Sequence, residues 1–113
     1  MELADSLSVA KLKAMSQSMY DGLVKAVVDV EKRIMMIDAP MHVDEEQALL
    51  EMGSLQQNLW GINLYPDDYG TDEFIEFDSM INIRPSQNNR SRDVEDQAMR
   101  KHIEEIVSEI IHD

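Results

Sequence analysis

Across residues 74–84 apolar and polar side chains alternate, and the run stops at Pro85. A period of two sets Ile75, Phe77, Ile81 and Ile83 on one face, with Ser79 among them. Glu76, Asp78, Asn82 and Arg84 mark the other face, the pattern of a half-buried β-strand. Proline cannot donate to a sheet ladder, so the strand is read over 74–83, and residues 86–92 carry no period and read as loop. A chain built around such a strand needs partner strands to pair it and helices to cover its apolar face.

Residues 7–20 place Val9, Leu12, Met15, Met19 and Tyr20 at helical spacing, with Ser6 or Ser8 available as N-cap, before Gly22 interrupts. From 23 to 37 two readings compete. Leu23, Val27, Val30 and Ile34 fit one helical stripe, whereas Val24, Ala26, Val28 and Val30 alternate with charged residues as in a strand. Four valines in seven positions, with stiff branched side chains, favour strands over 23–31 and 33–37. Residues 43–52 read as a short helix with acids in the first turn and Gly53 as its stop. Residues 58–65 read as a strand, 66–70 as a turn, and the strand at 74–83 then completes an antiparallel hairpin. A last helix is expected from 93 to about 111, with Met99, His102 or Ile103, Ile106 and Ile110 as its stripe. The sum is one α+β domain over 1–113. It has a mainly antiparallel sheet of about four strands, helices packed on one face, and residues 1–6 frayed.

Composition narrows the class of function. The chain has 113 residues, 43% hydrophobic and 29% charged, a size and balance suited to one folded domain. No apolar run nears the ~20 residues that span a bilayer, and the first residues lack a secretory pattern, so no membrane role and a cytoplasmic location are expected. With no cysteine, disulfides, thiolate metal sites and a cysteine nucleophile are excluded. A net charge of -13 opposes general nucleic-acid binding, which rests on neutralising phosphates. Asn89-Arg90-Ser91 matches a glycosylation acceptor only formally. Nine methionines suit core gaps or the interface of a homo-oligomer.

Three constellations carry possible chemistry. His42 and Asp44 stand one residue apart at a helix entrance, near Glu45, Glu46 and Glu51. Imidazole and carboxylates ligate divalent metals, and a histidine can act as a general base. Acids at a helix start also favour the dipole, which alone accounts for the arrangement. Glu76 and Asp78 fall on the same face of one strand, about 6–7 Å apart, a spacing that holds Mg²⁺ in some sites but equally marks a solvated sheet face. The third is the 84–92 loop, where Arg84, Arg90 and Arg92 accompany Gln87, Asn88 and Asn89. Planar guanidinium forks and carboxamides suit an anion or an acidic partner, and suit equally well internal ties to Glu45, Glu46 or Asp78. Trp60, before Gly61, reads as a core anchor beside a bulge.

Several of these residues recur in a pattern. Met41-His42-Val43-Asp44, Leu49-Leu50-Glu51 with Gly53-Ser54, and Leu59-Trp60-Gly61 precede Phe77-x-Ser79-x-Ile81-Asn82-Ile83-Arg84-Pro85 and Asn89-Arg90-Ser91. Together they resemble a family of small uncharacterised prokaryotic proteins, a domain of unknown function, over residues 23–111. Where that family often has a glycine pair, this chain has Asp38-Ala39-Pro40. The resemblance implies no activity or cofactor, and places His42, Asp44, Arg84, Asn89 and Arg90 at motif positions.

The leading expectation is a small soluble binding protein. In it Arg84, Gln87, Asn89 and Arg90, with Trp60 and Gln56 nearby, engage a small anionic ligand or an acidic protein segment. The alternative is a small, metal-assisted hydrolase in which His42 and Asp44 transfer protons or, with Glu51, hold metal, and Arg84 stabilises negative charge. No cofactor is assigned.

Overall fold

The computed structural model describes residues 1–18 and 21–113. Its centre is a five-stranded antiparallel sheet in the order β1-β4-β3-β5-β6. These strands are β1 (Glu2–Ala4), β3 (Val24–Asp29), β4 (Ile34–Ile37), β5 (Leu59–Leu64) and β6 (Ile75–Glu76). The valine-rich stretch therefore forms two strands rather than one helix. Asp29 makes their tight connection possible: its buried carboxylate accepts from Glu31 N and Lys32 N at 2.9 and 3.0 Å, and from Ser54 Oγ at 2.6 Å. Arg33 then takes a left-handed backbone, φ 57°, to turn the chain into β4.

The first residues are not frayed. Glu2–Ala4 pairs with Ile37, Met36 and Met35 as an edge strand, and Leu7–Ser8 (β2) lies parallel to Ile111–His112 (β7) at the other end of the chain. Ala4 and Leu7 are buried, and that apolar surface is what holds the segment down. Helix α1 is shorter than its pattern, Val9–Ser16, and is capped by Ser8 Oγ, which accepts from Lys11 N at 3.1 Å. Met19 and Tyr20, the last members of the expected stripe, lie outside the described residues.

Helices cover both faces of the sheet, not one. Val24, Ala26, Val28 and Ile62 point towards α1 and towards α3 (Gln97–Ile110), which contributes Ile103, Ile106, Val107 and Ile110. Val27, Met36 and Leu59, of opposite parity, pack under Leu49 of α2 (His42–Glu51). Helix α3 begins at Gln97 rather than 93, because Asp96 caps it by accepting from Ala98 N at 2.9 Å while Val94 is drawn into the core. Met15, Met35 and Met36 are buried, whereas Met1, Met41, Met52 and Met80 are exposed, so the methionines serve both core and surface.

The largest departure is at 74–83. Only Ile75 and Glu76 pair, with Leu64 and Asn63 of β5. Beyond them Ser79 Oγ accepts from Ile81 N at 3.3 Å and starts a 3₁₀ turn, Met80–Asn82, which carries the chain off the ladder. The edge of β5 is closed by a side chain. The Asn82 carboxamide accepts from Gly61 N at 2.8 Å and donates to Gly61 O at 3.0 Å, imitating the peptide group a strand would have presented. Only glycine fits opposite this turn: a Cβ on residue 61 would lie 2.6 Å from both Cβ and Oγ of Ser79.

Asn82→Ala leaves the buried Gly61 amide and carbonyl unpaired, and should destabilise the fold by about 2–4 kcal/mol. Urea unfolding checks this through a lower midpoint at unchanged m-value.

Candidate functional site

Beyond its 3₁₀ turn the chain folds onto itself through polar side chains. Arg84 and Asn89 face each other across a short bridge, N to O at 2.7 and 3.1 Å, closed by the turn Pro85–Gln87 and by Asn88 in the left-handed region, φ 61°. The Arg84 side chain runs inward. Its guanidinium donates to Leu59 O at 2.6 Å and to Gln56 O, and lies 4.1 Å from the centroid of the Trp60 ring. Burial lowers its pKa, and the charge of Glu46 opposes that shift.

Asn89 is a hub. Its Nδ2 donates to Asn82 O, Ser91 O and Asp93 O at 2.7, 3.1 and 2.7 Å, and its Oδ1 accepts from Glu95 N at 2.9 Å. Glu95 returns the tie, its carboxylate accepting from Arg90 N, Ser91 N and Ser91 Oγ at 2.8–2.9 Å. Gln87 Nε2 donates to Gln57 O at 3.1 Å, and Arg92 is ion-paired with Asp78. Of the expected ligand-binding residues, Arg84 and Asn89 are buried in backbone contacts, Gln87 is tethered, and Arg90 stands exposed.

The expected metal or proton-transfer group does not converge. His42, at the start of α2, is buried against β5 with Nε2 2.7 Å from Ile62 O. A carbonyl oxygen only accepts, so Nε2 carries a proton and donates to it. Burial lowers its pKa, and the Ile62 bond partly offsets this. Asp44 and Glu51 lie exposed on α2, where Glu51 accepts from Gln47 at 3.3 Å. No hydrogen bond joins His42 to Asp44 or to a side chain of the 84–92 loop among the described residues. These residues also hold no group of three or more His, Asp or Glu side chains placed to share a metal ion.

Beside His42, Glu45 faces the interior. It is fully buried, with one oxygen accepting from Ala39 N at 3.0 Å and the other unpartnered. Burial pushes its pKa up to about 9, opposed by the Ala39 bond, so it is protonated at neutral pH.

A recess lies elsewhere, between β6 and α3. It is an open groove of about 700 Å³ with Ile75 and Phe77 as its apolar surface, and it carries five carboxylates, Asp68, Glu73, Glu76, Asp78 and Asp93. Two arginines, Arg92 and Arg100, line it as well, which leaves a local excess of three negative charges. Both are engaged: Arg92 with Asp78, and Arg100 with Asp93 at 2.8 Å while its guanidinium sits 4.4 Å from the Phe77 centroid. Glu76 accepts from Asn63 Nδ2 and Tyr65 Oη at 2.8 and 3.2 Å. Burial, followed by the Glu76 charge, raises the Tyr65 pKa. Glu76 and Asp78, which the alternation places on one strand face, thus line one groove but have separate partners. Arg100, Glu73 and Asp68 carried no motif. The sequence signal for them is the acid run Asp67, Asp68, Asp72, Glu73, Glu76 and Asp78, unrelieved by any basic residue between Tyr65 and Ile83.

The chain belongs to the family described as protein of unknown function (DUF5674), whose model matches residues 2–110. No curated protein and no solved structure matches it.

Glu45→Gln should stabilise the protein, and the gain should depend on pH. The folded pKa lies above the unfolded one, so the unfolded chain loses its proton first. Between about 4.3 and about 9 folding must keep a proton that the unfolded state releases, and stability contributed by this group falls as pH rises. The variant lacks that penalty. Thermal unfolding at pH 5 and pH 8 should show little difference at the lower pH and a Tm higher by at least about 4 °C at the upper.

Proposed function

We propose that the protein is a binding module whose partner is cationic and docks in the groove between β6 and α3. The observation that carries this reading is the groove's charge: its arginines are already paired, and Asp68 and Glu73 form no salt bridge among the described residues. Clefts lined by one sign of charge concentrate ligands of the other, and the chain's overall charge of -13 adds to the same field.

The class of function expected from the sequence is kept, while its place and sign change. An anionic ligand at the 84–92 loop would find two exposed arginines, of which Arg92 is already paired with Asp78 and Arg90 alone has no salt bridge among the described residues, while Arg84 is spent on Gln56, Leu59 and Trp60. A hydrolase built on His42 would need its Nε2 released from Ile62 and a carboxylate brought to it.

Titration calorimetry with hexalysine and hexaglutamate at low salt separates these. Hexalysine should bind and weaken as salt rises. Asp68→Asn with Glu73→Gln should weaken it at least fivefold, more than Asp5→Asn with Glu31→Gln, which makes the same charge change at exposed sites elsewhere. Equal loss in the two double variants, or hexaglutamate binding that disappears in Arg90→Ala, would remove this reading.

A further inference from the structure

We infer that the cationic partner is an extended peptide segment that adds to the sheet as a strand beside β6. This rests on the groove's being the binding site and adds the form the ligand takes. β6 is the last strand of the sheet, with β5 on one side and, among the described residues, no strand on the other. Tyr65 N donates to Phe74 O at 2.9 Å, and Phe74 stands opposite Tyr65 in the register that pairs Leu64 with Ile75. Backbone groups alternate in direction along a strand, so those of Phe74 and Glu76 face β5 and those of Ile75 face away, into the groove. Such an outward N–H and C=O pair is what an added strand uses.

The space along this edge suits an extended chain. Two further recesses, of about 340 and 250 Å³, follow the first between β6 and α3, sharing Ile75 with it. The last is apolar in character, formed by Phe74, Val107 and Ile111 with the exposed Ser108 at its rim. From Arg100 to Ile111 an α-helix rises roughly 16 Å, close to the span of five residues of β-strand. One end of the run is acidic and the other apolar. The fitting segment therefore carries a basic residue and an apolar residue about four positions apart, on the same face of the strand. The acids on this edge repel the same edge of a second copy while attracting a basic segment.

The test uses a capped Lys-Thr-Lys-Thr-Leu-Thr peptide and two backbone N-methylated forms, each methylated at one of the two alternating sets of nitrogens. Fluorescence anisotropy should show one methylated form binding at least tenfold more weakly and the other within about twofold of the parent, because only one set of amides faces a partner strand. Ser108→Trp, which fills the apolar recess from an exposed position, should weaken the parent at least fivefold. If both methylated forms bind like the parent, or both weaken equally, strand addition is overturned. The cationic reading would then stand so long as Asp68→Asn with Glu73→Gln still weakens the parent peptide. If that double variant also leaves binding unchanged, both readings fall together.

Discussion

The bond pair between the Asn82 carboxamide and the backbone of Gly61 is the constraint from which the rest of the molecule's character follows. A central strand must have both its edges satisfied, and here one edge of β5 is met by β6 for two residues and then by a side chain. That substitution frees the chain after Glu76 from running along the sheet. It turns instead, and residues 79–95 become a knot of side-chain to backbone bonds centred on Asn82, Arg84 and Asn89. Buried polar bonds of this kind reinforce one another in a low-dielectric interior and hold one arrangement.

Two consequences reach function. Because Arg84 and Asn89 are consumed as braces, the most conspicuous polar stretch of the chain is structural in most of its side chains, and its basic charge is not presented as a cluster. Because β6 is cut to two residues, its outer edge and the side of α3 are left facing each other across a groove, and the acids of the turn between β5 and β6 line it. α2 contributes its own buried polar pair, His42 and Glu45, both held uncharged by burial at neutral pH. They anchor the helix to β5 and to the turn before α2.

Legibility in the sequence varied with the kind of signal. The valine density of 23–37 favoured two strands over the competing helical stripe, since stiff branched side chains suit both faces of a covered sheet, and Ile103, Ile106 and Ile110 marked the buried stripe of α3. Alternation at 74–83 misled because Ser79 bonds the backbone two residues on and turns the chain, and the Asn82 side chain then reaches Gly61 in place of a ladder. Asn82, assigned to the solvent face, is fully buried. Val27 and Met36 had the parity to show that the second sheet face is also covered, but parity gains meaning only once the packing of α2 is known. The groove was illegible for a similar reason. Arg100 and Glu73 are far apart in sequence, and only the cut-short strand brings their segments together.

The central claim, that a carboxamide completes the sheet where a strand would be expected, is tested most directly by hydrogen exchange at a single amide. The Gly61 N–H should exchange as slowly as the ladder amides of β3 and β5, opening only with the whole domain. Exchange of Gly61 at the rate of the exposed 67–70 turn, with β3 protected, would contradict the account.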